Sequence, residues 1–575
     1  MLRLMKYLRG KELAMFAGLL VFLIMQIYCD VTLPTYTAEI VSKMQEGAQA
    51  ASILSTGYIM LAYAAVSVTA TVFETIFSAR ISTRLGERLR QAVFSHIVGL
   101  SDRDANSFSA GTLLTRTTND VQQVVSAMVL GLRLGIGAPL MAVLAVIRIA
   151  QSSGELTVAV AVAVTVLLAG IMTILMMVLP RFRLIQKLTD RLNGVTRDTL
   201  TGIRVVRAYN AEEYQRERFE EINEKYAKTN LFTGRASAAM QPFMQLVYNG
   251  LTLAIYWLGC FIIVRDNDAA FFPTMFSFTQ LAAQVVTAFM VLVMLFNLLP
   301  RAQVSARRIL EIVTKRSKIT DPVLPKEYFC DGSIELKNVS VGYGGQPVLS
   351  DVSFRAEKGQ TLAIVGGTGS GKTTLLKLLL RFTDADDGEV LVGGRNVKDV
   401  RQKELRASLG YAPQRSILFS GTIGENIAFS CPGLSDAELK RAAKIACAED
   451  FIGEKGGLSA PVVQGGKNFS GGQRQRLSVA RAVASAPQIL LFDDSFSALD
   501  YTTDATVRRN LKEQLPSATK IIVAQRISTV RDADVIVVLD KGRAVGVGTH
   551  EDLLKRCETY CEIAKSQLSE EELAE

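Results

Sequence analysis

Gly366-Gly367-Thr368-Gly369-Ser370-Gly371-Lys372-Thr373-Thr374 stands between the apolar run Thr361–Val365 and the helix-forming run Thr374–Phe382. A glycine-rich turn from strand to helix lets backbone N–H groups approach phosphate oxygens without Cβ clashes, and the helix N-terminus adds a favourable dipole. In such a loop Lys372 reaches the β- and γ-phosphates of a nucleotide, and the Thr373 hydroxyl is a ligand for Mg²⁺. Downstream, Ile489–Asp494 reads as an apolar strand ending in two carboxylates. Asp493 is placed to hold Mg²⁺ through water, and Asp494 stands where a hydrolytic carboxylate would stand. From about residue 330 onward, short β-rich runs (EVLVG at 389–393, KIIVA at 520–524, VIVVLD at 535–540) alternate with helical segments. That alternation predicts an α/β domain with a largely parallel core sheet.

The other half of the 575-residue chain is different in kind. Mean hydropathy over the whole chain is +0.24, which excludes disorder, collagen-like repeats and a nucleic-acid-binding tail, and points to membrane spans diluted by a soluble portion. The first apolar stretch, Leu13–Cys29, ends at Asp30 rather than at a small-residue cleavage site, so it reads as a retained span and not a removed signal. Five charge-free runs follow: Leu54–Phe73, Leu134–Ile147, Leu156–Pro180, Met240–Val264 and Ala269–Pro300. About 20 residues cross the hydrocarbon core as a helix, which predicts spans at about 13–36, 54–77, 128–150, 155–180, 240–264 and 272–300. The expected division is a membrane domain at 1–310, a linker at 311–332 and a nucleotide-binding domain at 333–575.

The net charge of +9 is concentrated beside those spans rather than in a groove for nucleic acid. Arginines and lysines crowd the segments between the second and third and between the fourth and fifth spans, whereas the other loops offer little beyond Lys43, Arg148 and Arg265. By the positive-inside rule both long loops, both chain ends and the nucleotide-binding domain are cytoplasmic. Leu85, Leu89, Val93 and Ile97 keep helical spacing, so the helices are expected to continue about 30 Å past the membrane.

Asn468-Phe469-Ser470-Gly471-Gly472-Gln473-Arg474-Gln475-Arg476-Leu477 resembles the signature motif of ATP-binding cassette proteins. In the membrane half, residues 107–121 and 192–219 are similar to the cytoplasmic loops of six-span exporter-type transporters, where short coupling helices dock onto the cassettes. The resemblance covers nearly the whole chain and implies a half-transporter of the ABC exporter fold. It implies ATP with Mg²⁺ at a site formed by Tyr343 (stacked on adenine), Gly366, Thr368, Gly369, Ser370, Gly371, Lys372, Thr373, Thr374 and the Q-loop Gln414. Thr373, Gln414 and Asp493 would serve the metal, Asp500 closes the D-loop Ser497-Ala498-Leu499-Asp500, and Ser470, Gly471, Gly472 and Gln473 would face ATP bound by a partner chain.

Two positions depart from the family pattern. Members that hydrolyse ATP carry Glu after the strand-end Asp, where this chain has Asp494, and a switch His where it has Gln525. Asp is one methylene shorter, setting its carboxylate about 1.5 Å back from the attacking water, and a displacement near 1 Å already costs about 100-fold. Gln carries no titratable charge. The combination implies a degenerate site that binds ATP tightly and hydrolyses it slowly, in an asymmetric heterodimer whose competent site borrows this chain's signature motif. A homodimer tolerating both changes is the alternative.

Seven cysteines and two histidines complete the inventory. The cysteine spacing suggests neither a zinc site nor a disulfide framework, and Cys557 and Cys561 read as one face of a C-terminal helix. Met172, Met176, Met177, Met290, Met294, Phe271, Phe272, Phe276 and Phe278 read as lipid-facing or packed between helices rather than as a cavity lining. Arg133, beside a span, stands out as an intramembrane charge. The leading expectation is ATP-driven export of a lipophilic or amphipathic small molecule, peptide or lipid across a bacterial plasma membrane. An importer with the exporter fold, for example for a siderophore, and a non-transporting ATP-binding regulator are the other classes.

Overall fold

The computed structural model describes residues 2–152, 154–267, 271–315, 317–343 and 346–568. By contacts the chain divides into two units, Met1–Val98 with Ser109–Lys315, and Gly99–Phe108 with Arg316–Glu575.

The first unit is helical. Six helices are long and apolar enough to cross a membrane: Gly10–Gln45, Ala50–Gly99, Ala110–Gln151, Gly154–Thr201, Glu212–Asp266 and Phe271–Val313. A lipid-facing segment has to satisfy every backbone polar group internally, which a helix does within itself. The first helix therefore runs straight through Asp30 and ends only at Gln45. The second continues to Gly99 with Leu85, Leu89 and Val93 buried, as their spacing predicts. Leu23, Ile27, Ile149, Leu156, Ile255 and Phe278 form the shared core of five different helices, whereas Met172, Met176, Met177 and Met294 are exposed. A π-turn at Arg116–Asp120 interrupts the third helix. There Ser305 of the sixth helix donates to Asp120 at 2.7 Å, and Arg116 pairs with Glu311 at 2.8 Å, tying the third helix to the sixth.

Arg133 has a partner that its sequence neighbourhood does not announce. Its Nε donates to Glu74 of the second helix at 3.2 Å, and Glu74 is only 2% exposed. The charge that stood out in the sequence is half of an ion pair joining the second and third helices.

The second unit is α/β. Its six-stranded sheet runs in the order Arg543–Gly548, Val535–Asp540, Thr361–Gly366, Thr519–Val523, Ile489–Asp493, Leu409–Ala412. Every neighbouring pair is parallel except the first. Strands covered on both faces read as continuous apolar runs, and all five residues of Ile489–Asp493 are buried. The EVLVG run belongs elsewhere: Asp387–Val392 pairs antiparallel with Ile334–Tyr343 in a separate four-stranded sheet. Cys557 has extended backbone (φ −117°, ψ 103°) between helices His550–Arg556 and Glu558–Lys565. Cys557 and Cys561 therefore do not share one uninterrupted helix face.

Residues 99–108, which the sequence places between the second and third spans, group with this α/β unit. Ser101 caps the short helix Asp102–Asn106. Lys377, on the helix after the glycine-rich loop, pairs with Asp102 at 2.8 Å. The Ser101 N–H donates to Ser317 Oγ at 3.2 Å, and the Lys318 N–H to Asp104 Oδ2 at 3.3 Å.

Candidate nucleotide site and signature surface

The strand Thr361–Gly366 delivers the glycine-rich loop to the helix Lys372–Leu379, whose N-cap is Gly371. Gly369 and Gly371 have φ of +83° and +100°, a region that side-chain-bearing residues rarely adopt. A Cβ on Gly371 would also lie 2.5 Å from Leu349 Cδ2, while one at Gly369 would meet nothing within 4 Å. The loop is thus packed against protein at one point and open at the other. Ser370 Oγ is buried without a partner, a donor left over where a phosphate oxygen would fit. Lys372 folds back on the loop, its Nζ donating to the carbonyls of Gly366 and Gly367 at 2.7 Å each. An incoming phosphate would share or replace those contacts.

Below the loop, Thr373 Oγ1 donates to Asp493 Oδ1 at 3.0 Å. Asp494, in the left-handed backbone region at φ 49°, receives two side-chain amides on one oxygen. Gln414 Nε2 lies 3.4 Å and Gln525 Nε2 3.1 Å from its Oδ2. Burial pushes both carboxyls upward from their ordinary pKa; the Thr373 hydroxyl opposes this at Asp493 and the Gln414 amide at Asp494. Burial pulls the Lys372 ammonium downward, against the field of Asp494 and Asp493. The structure therefore brings Lys372, Thr373, Gln414, Asp493, Asp494 and Gln525 into one cluster. Tyr343 ends its strand, and the Arg103 guanidinium lies 5.8 Å from its ring centroid, a cation–π contact.

The signature residues form a second, separate feature. Ser470 is the N-cap of helix Gly471–Val483 in a reciprocal capping box: the Gln473 N–H donates to Ser470 Oγ at 3.3 Å, and the Ser470 N–H to Gln473 Oε1 at 3.0 Å. This box satisfies two of the helix's orphan donors and leaves the Gly471 and Gly472 N–H groups at its head. Asp500 caps the next helix, Tyr501–Gln514, accepting from the Thr502 hydroxyl at 2.6 Å and the Thr503 N–H at 3.0 Å, and these bonds hold its carboxyl well below the usual carboxylate range.

The profile of the ABC transporter transmembrane region matches residues 16–295, and the ABC transporter ATP-binding profile matches residues 349–497. An uncharacterized ABC transporter ATP-binding protein of Mycobacterium tuberculosis (strain CDC 1551 / Oshkosh) is 38% identical over 559 residues, covering 96% of this chain and 95% of that protein. The chain belongs to the ABC transporter family. The ABC transporter YfiB of Bacillus subtilis (strain 168), also uncharacterized, is 30% identical over 518 residues, covering 90% of each chain. The structure of a bacterial Atm1-family ABC exporter with ATP bound matches with a TM-score of 0.80 at 26% identity, covering 97% of this chain and 98% of that one. This ABC transporter accordingly has the exporter fold, a half-transporter architecture and an ATP-binding domain whose ATPase is coupled to transport.

Three residues at the site gave no signal of their own in the sequence. Gln475 lies inside the signature stretch, yet its contacts are to the D-loop: Oε1 accepts from the Ala498 N–H at 3.0 Å, and Nε2 lies 3.5 Å from Ser497 Oγ. Gln567, near the chain's end, brackets position 525 by donating to the Gln525 carbonyl and accepting from the Ile527 N–H, each at 2.9 Å. Arg103 reaches Tyr343 from across the sequence.

Proposed function

We propose that this chain is one subunit of a heterodimeric exporter in a bacterial plasma membrane, with its termini and nucleotide-binding domain cytoplasmic. Residues 1–310 form the membrane part, 311–332 the linker and 333–575 the cassette. Its own phosphate loop forms a degenerate site that binds ATP and turns it over slowly, and Ser470, Gly471, Gly472 and Gln473 complete the competent site on a second half-transporter. The carried molecule is lipophilic or amphipathic.

The observation that supports this reading is the state of Asp494. In hydrolysis the water oxygen bonds to the γ-phosphorus, the bond to the β–γ bridging oxygen breaks, and the water's proton needs an acceptor. Here the only carboxylate at that position is a short one, with two neutral amides donating to Oδ2. Burial raises this carboxyl's basicity overall, but the two amides occupy the lone pairs of Oδ2 that an attacking water would use. Gln525, unlike His, adds no charge to the developing transition state. Lys372 still serves to hold the phosphates, and Tyr343 the base. Mg²⁺, when bound, neutralises charge on the β- and γ-oxygens. The Thr373 hydroxyl and the Asp493 carboxylate, 3.0 Å apart, with the Gln414 side chain, are hard oxygen donors of the kind it takes.

The test is to purify the chain alone and with whatever half-transporter co-purifies, and to measure ATP turnover and uptake into inside-out vesicles. We expect slow turnover alone, faster turnover in the complex, and ATP-dependent uptake. Ordinary turnover by the chain alone would support a homodimer, and uptake in right-side-out vesicles would reverse the direction.

A further inference from the structure

Asp30 lies on the first helix, four residues before Pro34. Proline has no N–H, so the Asp30 carbonyl loses the donor that an unbroken helix would give it. Gln284 of the sixth helix replaces that donor, its Nε2 reaching the Asp30 carbonyl at 2.8 Å. From the second helix Ser67 Oγ donates to Asp30 Oδ1 at 2.6 Å. Gln26, one turn earlier on the first helix, places its Nε2 3.5 Å from Oδ2. Three helices converge on one acidic residue inside the apolar part of the bundle.

The charges do not balance there. Glu74 is matched by Arg133, whereas among the described residues no basic side chain pairs with Asp30, whose one close side-chain donor is a neutral hydroxyl. The hydrogen-bond capacity does not balance either. Gln284 must turn its nitrogen to the Asp30 carbonyl, which leaves Oε1 buried without a partner, and Gln26 Oε1 is left in the same condition. Two amide oxygens on side chains that bond to Asp30 thus lack donors, and the Asp30 carboxylate, which accepts only from neutral groups, lacks a counter-cation among the described residues. Unsatisfied buried acceptors and an unpaired intramembrane carboxylate are both costly, and such groups mark function by default. The chemistry that satisfies all of them is a cation carrying several N–H donors, since an ammonium donates three hydrogen bonds and accepts none.

We propose that Asp30, with the amide oxygens of Gln26 and Gln284, is a subsite for a protonated amine on the molecule this transporter carries. The proposal deepens the reading of a lipophilic or amphipathic cargo by giving it a basic nitrogen. It rests on that reading only for taking the ligand to be cargo; binding at Asp30 is independent of direction, partner and hydrolysis.

The test uses the full chain with its co-purifying partner in phosphatidylcholine nanodiscs, whose headgroups carry no net charge. Three probes share one apolar body: 2-naphthylmethylammonium, its N-trimethylated analogue, which has the charge but no N–H, and 2-naphthylmethanol, which has neither. By calorimetry we expect the ammonium to bind most tightly, about tenfold or more above the alcohol, with the trimethyl compound between them. Asp30→Asn should bring the ammonium to the alcohol's affinity while leaving MgATP binding unchanged, which also certifies that the variant is folded. Should that variant not fold, the three probes on the unaltered protein decide the matter alone. Equal affinity for all three, or an ammonium preference that survives Asp30→Asn, would overturn the proposal. Competitive displacement of the ammonium by millimolar KCl or NaCl would overturn it in favour of an inorganic cation.

Discussion

The phosphate loop with its carboxylates and the signature helix sit in the same cassette, and they differ in how complete they are. The signature helix has its capping box closed in both directions, Ser470 with Gln473, and its head is formed by two residues without side chains. The phosphate side has an open glycine cradle and a spare Ser370 hydroxyl, but its Asp494 accepts two amides on one oxygen. Binding needs the cradle, and hydrolysis needs a free base at the right reach. On the proposed reading, one surface would serve another chain's nucleotide, while the other would hold its own. Gln475 links the two regions, since it belongs to the signature helix and bonds to the loop that follows Asp494.

The largest test of that contrast is Gly471→Asp. A Cβ at Gly471 meets only Ala498 Cβ at 4.0 Å, so the cassette tolerates it, whereas at Gly472 it would stand 3.1 Å from the Ala498 carbonyl. An added carboxylate at the helix head repels a facing phosphate, and ATPase of the complex should fall about 100-fold. Lys372→Ala, measured in parallel, should abolish nucleotide binding at this chain while sparing part of the complex's turnover. The reverse pattern would exchange the roles of the two surfaces.

A smaller effect is expected from repair. Asp494→Glu with Gln525→His restores reach and a titratable partner together, and should raise single-turnover hydrolysis at this chain's own site about tenfold or more. An unchanged rate would place the defect elsewhere. The smallest effect belongs to the link. Gln475→Ala removes the acceptor of the Ala498 N–H, a loss of about 0.5–1.5 kcal/mol, visible as a lower Tm with nucleotide binding at Lys372 retained. An unaltered Tm would show that the two regions are not joined there.

The two surfaces were legible in the sequence because each is a contiguous motif, with the loop at 366–374 and the signature at 468–477. The fold was legible too, since apolar runs of spanning length and buried parallel strands leave strong compositional marks. What could not be read were partners far apart in the chain. Gln414 reaches Asp494 across 80 residues, and Glu74 neutralises Arg133 across 59. Asp30 read as the end of an apolar run, because nothing nearby shows that Gln284, 254 residues on, holds its carbonyl. The EVLVG run has a buried-strand composition, which fixes its burial but not its sheet. Hydrophobic patterning tells a residue which face it occupies, and leaves open what stands opposite.

The central claim is that ATP on this chain's phosphate loop is held and not turned over while the complex works. The direct measurement is vanadate trapping with photoreactive azido-ATP on the purified complex, reading which subunit carries which nucleotide. The account predicts intact triphosphate cross-linked to this chain and vanadate-trapped diphosphate on its partner. Vanadate-trapped diphosphate on this chain would contradict it.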